Sequence, residues 1–271
     1  MRLQESTMSR ARSLVAGGMV AVFASGCDDE RGARPPRPDE IPVLVSIPAG
    51  KATIGLELGT QREERSLETF RVTKFPITVK HYRQCIAAGA CVAPAHPSYE
   101  CGGASELQHL RGPTFNVPEG DELPVTCVTP EQAIGYCRWL GGTLPDSAQW
   151  LVAARGSSVR RYAWGSRLDA CEQHPEARLR AKKCDVSDPT RFRVGRHRDG
   201  ASPMGLEDVL STPAELISTS STSQSSACAP GVSACLVRGL SPGAIDGFAP
   251  MPSGDQKATP SFGFRCVLEA K

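Results

Sequence analysis

The residues of this chain best equipped for chemistry are its eleven cysteines, because a thiolate can ligate a soft metal, attack an electrophile or close a disulfide. Their spacing narrows the choice. No Cys-x-x-Cys pair occurs, and the five histidines (His81, His96, His109, His174, His197) show no ligand spacing, so a structural zinc site is not expected. Cys27 stands apart near the N-terminus. The other ten, Cys85, Cys91, Cys101, Cys127, Cys137, Cys171, Cys184, Cys228, Cys235 and Cys266, are an even number, which in an exported chain reads as five disulfides. Short loops favour Cys85 with Cys91, Cys171 with Cys184 and Cys228 with Cys235; spacing alone leaves the other pairings open. Phosphate-binding and dinucleotide-binding glycine loops are missing, and serine, histidine and aspartate are scattered without a triad motif.

The export reading rests on residues 1–26. Arg10 and Arg12 begin a segment whose apolar run, Leu14 to Ala24, is too short to span a bilayer, and Ala24-Ser25-Gly26 precedes Cys27 as a small-residue processing site. Met8 serves equally well as the start. The tetrapeptide is similar to a bacterial lipobox, which makes Cys27 the expected lipidated first residue and the membrane a partner through that anchor. The alternative, an ordinary secretory signal, leaves Cys27 as a free thiol. Asp28 to Glu40 is acidic, arginine-rich and proline-rich with no large aliphatic side chain, so residues 27–40 are expected to be a flexible tether, followed by one domain over residues 41–271.

Residues 1–26 contain three of the 31 basic and one of the 29 acidic residues, leaving 28 of each. A chain of zero formal charge is not a typical nucleic-acid binder, and the basic stretches Arg178 to Lys183 and Arg191 to Arg198 read as solvated surface. The 26 glycines and 22 prolines require much of the backbone to run in turns. Val43, Val45 and Ile47 alternate as a first strand that stops at Pro48. Thr78 caps a helix through Ala88 with Val79, Tyr82 and Ile86 on one face. Thr129, Pro130 and Gln132 start a second helix with Ile134, Cys137 and Leu140 inward and Gly141-Gly142 at its end; Asp146 and Gln149 start a third that buries Trp150, Leu151 and Ala154. Phe262, Phe264, Cys266 and Leu268 alternate as one closing strand, and 218–233 is a serine-rich loop.

Four separated segments occur in a telling order: Pro124 to Gly156, Arg161-Tyr162-Ala163-Trp164-Gly165, Ala201-Ser202-Pro203-Met204-Gly205-Leu206 and Gly263-Phe264-Arg265-Cys266. Together they resemble the formylglycine-generating-enzyme, or sulfatase-modifying-factor, family. The resemblance implies an α+β, irregular, loop-rich C-type-lectin-like fold, disulfide-braced, in which Cys137 bonds Cys266. That pairing leaves Cys101 for Cys127.

Members that oxidise a substrate cysteine to formylglycine use a cysteine pair that binds copper(I), downstream of an Arg-Gly-Gly-Ser motif. The corresponding stretch here runs from Arg238 to Ala249 and places Ala244 and Ala249 at the two positions, with no cysteine between Cys235 and Cys266. A methyl group ligates nothing, so no catalytic residue and no cofactor is expected. The family's Gly-Asn-Val-Trp-Glu-Trp element, which helps hold calcium, is reduced here to Glu215, with Asp208 upstream; these two are weak calcium candidates beside the alternative of ordinary loop acids. The expected function is a non-catalytic domain in the bacterial cell envelope that binds an unnamed small ligand or protein. The alternative is a formylglycine-generating-type oxidoreductase, or another enzyme, with a rearranged site and the family's copper and calcium, for which Cys228 and Cys235 are the nearest thiols.

Overall fold

The computed structural model describes residues 32–54, 63–94, 114–157, 162–165, 193–209, 214–218, 236–238, 251–252 and 262–270. Pairing of β1 (Leu44–Ile47) with β4 (Phe70–Thr73) starts the domain, and β9 (Val267–Glu269) joins the other edge of β4, giving an antiparallel sheet of order β1-β4-β9. Between β1 and β4, β2 (Gly50–Ile54) and β3 (Glu63–Leu67) form a two-stranded antiparallel sheet. A four-stranded sheet of order β7-β6-β5-β8 combines β5 (Ala214–Ile217), β6 (Leu236–Arg238), β7 (Met251–Pro252) and β8 (Phe262–Phe264), with β5 and β8 parallel.

Three helices carry the local signals that demand them. The Thr78 hydroxyl accepts the His81 N–H at 3.3 Å to start α1 (Val79–Ala87). Thr129 and Gln132 cap α2 (Pro130–Trp139) reciprocally at 3.2 and 2.9 Å, and Asp146 and Gln149 do the same for α3 (Ser147–Arg155) at 2.9 and 3.0 Å. The inward faces are rotated slightly from expectation. Cys85 rather than Ile86 is fully buried on α1 because it is bonded to Cys91, and Ala133 and Tyr136 displace Ile134 from the centre of α2. Aromatic packing is the cause for α2: the Tyr136 ring stacks on Tyr82 at 5.8 Å and meets Phe264 edge-on at 5.6 Å. On α3, Trp150, Leu151 and Ala154 are buried as their spacing requires.

The Gly141-Gly142 stop does two jobs. Gly141, at φ +89, takes the left-handed turn after the helix cap, and a Cβ on Gly142 would lie 2.0 Å from the Val267 carbonyl oxygen. That close approach lets Thr143 and Val267 exchange two main-chain bonds of 2.9 and 2.8 Å, tying the end of α2 to β9.

Two expectations are corrected. The closing segment is not one alternating strand: β8 and β9 belong to different sheets, and Gly263 through Leu268 are all buried. The break falls at Arg265-Cys266, where a buried guanidinium and a disulfide both need a departure from the ladder. Residues 34–40 are likewise not a free tether. The Arg34 N–H donates to the Ala88 carbonyl at 3.1 Å, its carbonyl accepts the Trp139 indole N–H at 2.7 Å, and its guanidinium binds both oxygens of buried Glu40 at 2.6 Å. Main-chain polarity and one ion pair dock this strap where composition offered no apolar anchor.

Cys137 is bonded to Cys266 across 129 residues, and Cys127 is also disulfide-bonded. Cys27, Cys101, Cys171, Cys184, Cys228 and Cys235 lie outside the described residues, as does most of the serine-rich loop. Among the described residues no helix is long and apolar enough to cross a membrane.

Closure of so long a loop constrains the unfolded chain strongly. Replacing Cys137 and Cys266 together by serine should lower unfolding stability by about 5 kcal/mol in urea titrations; an unchanged midpoint would contradict the bracing role. The strap makes a pH prediction. Arg34 hydrogen-bonded to both oxygens holds the Glu40 carboxyl down at about 2, against its ordinary 4.5. A depressed carboxyl stabilises above its unfolded value and loses that contribution as pH falls towards its folded value, a window here of roughly pH 4.5 to 2. Melting temperatures of the native chain and Glu40→Gln should therefore differ at pH 6 and converge near pH 2, whereas a gap of constant size across that range would refute the assignment.

Candidate functional site

The polar centre of the described structure is assembled by four segments. Trp150 comes from α3, Glu215 from β5, Arg265 from the break between β8 and β9, and Glu207 and Asp208 from the turn after Gly205-Leu206. Arg265 and Glu215 are both 0% exposed. Arg265 Nε donates to Glu215 Oε1 at 2.7 Å, and Trp150 Nε1 donates to Glu215 Oε2 at 2.8 Å. The remaining guanidinium nitrogens donate to the carbonyls of Thr73 (3.3 Å), Lys74 and Glu207 (2.5 Å). The planar fork suits this crowd of acceptors, which a lysine could not satisfy.

Glu207 and Lys74 extend the network outward. Their side chains pair at 2.8 Å, and the Glu207 N–H donates to the Lys74 carbonyl at 3.1 Å. Asp208 sits in the left-handed region at φ 57, which aspartate tolerates better than most residues, and accepts the Gly195 N–H at 2.7 Å. Burial pushes the Asp208 carboxyl up, and the Gly195 N–H opposes that rise. Burial likewise pushes the Glu215 carboxyl up, with Arg265 and the Trp150 N–H favouring its ionised form.

This arrangement fits a structural keystone and does not fit calcium. A calcium site needs six to eight oxygen ligands, yet both Glu215 oxygens face N–H donors and a guanidinium already occupies the position beside them. Glu215 is thus a core acid rather than a loop acid, and Asp208 is bonded to the backbone of Gly195. Among the described residues no group of three or more His, Cys, Asp or Glu could hold a metal ion. Thiolates suit copper(I), and the described cysteines, Cys85, Cys91, Cys127, Cys137 and Cys266, are all consumed in disulfides. His81 is spent locally: its Nδ1 lies 2.8 Å from the Thr78 hydroxyl, and burial lowers its pKa to about 4.

Ala244 and Ala249, at the two positions matched to the copper ligands, lie outside the described residues, with Cys228 and Cys235. So does Gly239-Leu240-Ser241-Pro242-Gly243, which has Gly-x-Ser-x-Gly spacing; that spacing makes a nucleophile elbow on a hydrolase-type parallel sheet, and the sheets described here are small and mainly antiparallel. The keystone role of Arg265 was not read from the sequence. Its signal was available: an arginine between Phe264 and Cys266 in an apolar run must find an acid and carbonyl acceptors if it is buried.

Residues 30–270 match the family model described as the sulfatase-modifying factor enzyme 1-like domain, and the chain belongs to that family. Over 95 residues it is 30% identical to a formylglycine-generating enzyme of Mus musculus, covering 35% of this chain and 24% of that protein. Over 160 residues it is 26% identical to the inactive C-alpha-formylglycine-generating enzyme 2 of Mus musculus, covering 47% of this chain and 52% of that protein. The chain thus spans between a quarter and half the length of these curated relatives. Among solved structures, PvdO from Pseudomonas aeruginosa superposes with a TM-score of 0.60 at 15% identity over 86% of this chain and 96% of that one, a likeness of fold.

A buried ion pair broken on one side leaves an uncompensated charge, which costs about 3–5 kcal/mol. Arg265→Met should lower stability by about that amount. Adding Glu215→Met should recover part of the loss by removing the orphaned carboxylate, with the three stranded carbonyls keeping recovery incomplete. Guanidinium melts of the two variants check this, and a double variant less stable than Arg265→Met would contradict it.

Proposed function

We propose that this chain is an exported, lipid-anchored, non-catalytic member of the sulfatase-modifying-factor family that acts by binding, or as an accessory protein, in the bacterial cell envelope. The observation that carries this reading is the absence of thiols from the reacting segment: the sequence holds no cysteine between Cys235 and Cys266, and alanine stands at 244 and 249. Copper-dependent oxidation of a cysteine needs two soft ligands to hold the ion and a sulfur to exchange with substrate. Methyl groups provide neither.

The relatives are compatible with this. Similarity to the mouse protein named inactive, at 26% identity over 160 residues, extends over more of the chain than similarity to the mouse formylglycine-generating enzyme. A domain that keeps its capped helices, its long-range disulfide and its buried ion pair has what is needed to present loops, and recognition resides in loops placed on a rigid base. The small-residue site before Cys27 supplies the reason to expect the envelope.

The test is a peptide-oxidation assay on the purified domain with copper(I), oxygen and a cysteine-containing sulfatase-type peptide. No turnover above the metal blank is expected. Turnover abolished by Cys228→Ser or Cys235→Ser would overturn the proposal and assign the reaction to a displaced pair.

A further inference from the structure

Docking of the strap determines where the chain leaves the folded domain. Arg34 is gripped on both sides of its own residue, its N–H by the Ala88 carbonyl at the end of α1 and its carbonyl by the Trp139 indole at the end of α2. These bonds come from two different helices, so Arg34 can neither slide nor swing. Beyond it, Pro35, Pro36 and Pro38 stiffen the backbone, and Glu40 closes the segment by binding the Arg34 guanidinium and accepting the Arg37 N–H at 2.9 Å. The receiving loop is itself stapled, because Ala88 lies between the bonded Cys85 and Cys91.

Accepting the lipid anchor of the preceding section, only the six residues Asp28 to Ala33 separate Cys27 from this fixed point. Whatever their conformation, the stretch from Cys27 to Arg34 cannot exceed about 25 Å, since extended chain advances at most 3.3–3.6 Å per residue. A tether running free to Glu40 would reach nearly twice as far. Domains of about 240 residues have, by general size scaling, a diameter of roughly 45 Å, so this leash is shorter than the body it holds.

We infer that the pole formed by the ends of α1 and α2, around Arg34, Ala87–Val92 and Trp139, is held within about 25 Å of the phospholipid headgroups of the membrane carrying the anchor, and that the domain therefore keeps this side towards the bilayer rather than tumbling freely. Exposed Arg37 and Arg138 at this pole can contact anionic headgroups, while exposed Asp39 beside Arg34 and the leash acids Asp28, Asp29 and Glu30 oppose them, so the short leash rather than net charge is what holds this side to the membrane.

The experiment uses the full lipidated chain in nanodiscs of phosphatidylethanolamine and phosphatidylglycerol doped with a gadolinium-chelating lipid, reading paramagnetic broadening of amide signals. Broadening should be several-fold greater for Ala87–Val92 and the Trp139 indole than for the average exposed amide. It should even out when a 20-residue Gly/Ser spacer is inserted between Gly32 and Ala33, outside the folded strap. Broadening spread evenly over the surface of the unmodified chain, in particles that do carry it, would overturn this inference alone. Failure of the chain to associate with the discs, with the same behaviour from Cys27→Ala, would overturn the anchor and the inference together.

Discussion

A buried guanidinium must have acceptors for its donors, and meeting that requirement for Arg265 fixes where the rest of the domain can lie. Its partners are separated widely in the chain: Glu215 on β5, the Thr73 and Lys74 carbonyls at the end of β4, and the Glu207 carbonyl in the turn after Leu206. Each contact locates a different sheet or turn relative to the last segment of the chain. Trp150 then locks α3 to the same carboxylate. Hydrophobic packing alone is tolerant of small slides, whereas a planar fork with four differently placed acceptors is not. This explains why the closing segment departs from regular strand geometry at Arg265 and passes from one sheet to another.

The disulfide beside the keystone works in the same direction. Cys266 follows Arg265 directly and bonds Cys137 on α2, while Val267 exchanges main-chain bonds with Thr143. Three kinds of restraint, ionic, covalent and main-chain, therefore converge on three consecutive residues. They hold α2, α3, the β1-β4-β9 sheet and the β7-β6-β5-β8 sheet together at one place.

Local structure was legible because its causes are local. Thr129 with Gln132 and Asp146 with Gln149 announce helix starts through bonds spanning three residues, and Gly141-Gly142 announces a stop. Long-range polar structure was not. Nothing in the spacing of Glu215 and Arg265, fifty residues apart, marks them as partners, so the acid reads as a weak calcium candidate or a loop residue, and Arg265 falls on the opposite face of an alternating strand. The strap failed for a related reason. Composition predicts whether a segment can build a core, and Arg34 to Glu40 cannot; it docks instead by main-chain bonds and an ion pair on a core built by other residues. The family was readable from motifs in order, since those motifs encode the caps, turns and keystone that form the fold.

The framework and the positions matched to the copper ligands occupy different parts of the sequence. The residues that form the keystone, the long disulfide and the capped helices lie in segments of the sequence other than 239–250, the stretch that contains Ala244 and Ala249. The framework is therefore present in a chain that has alanine at 244 and 249. The most direct measurement is X-ray absorption at the copper edge on the full chain after anaerobic loading with copper(I) and removal of loosely held ion. The account predicts no retained copper and no sulfur shell; one equivalent of copper coordinated by two protein sulfurs would contradict it.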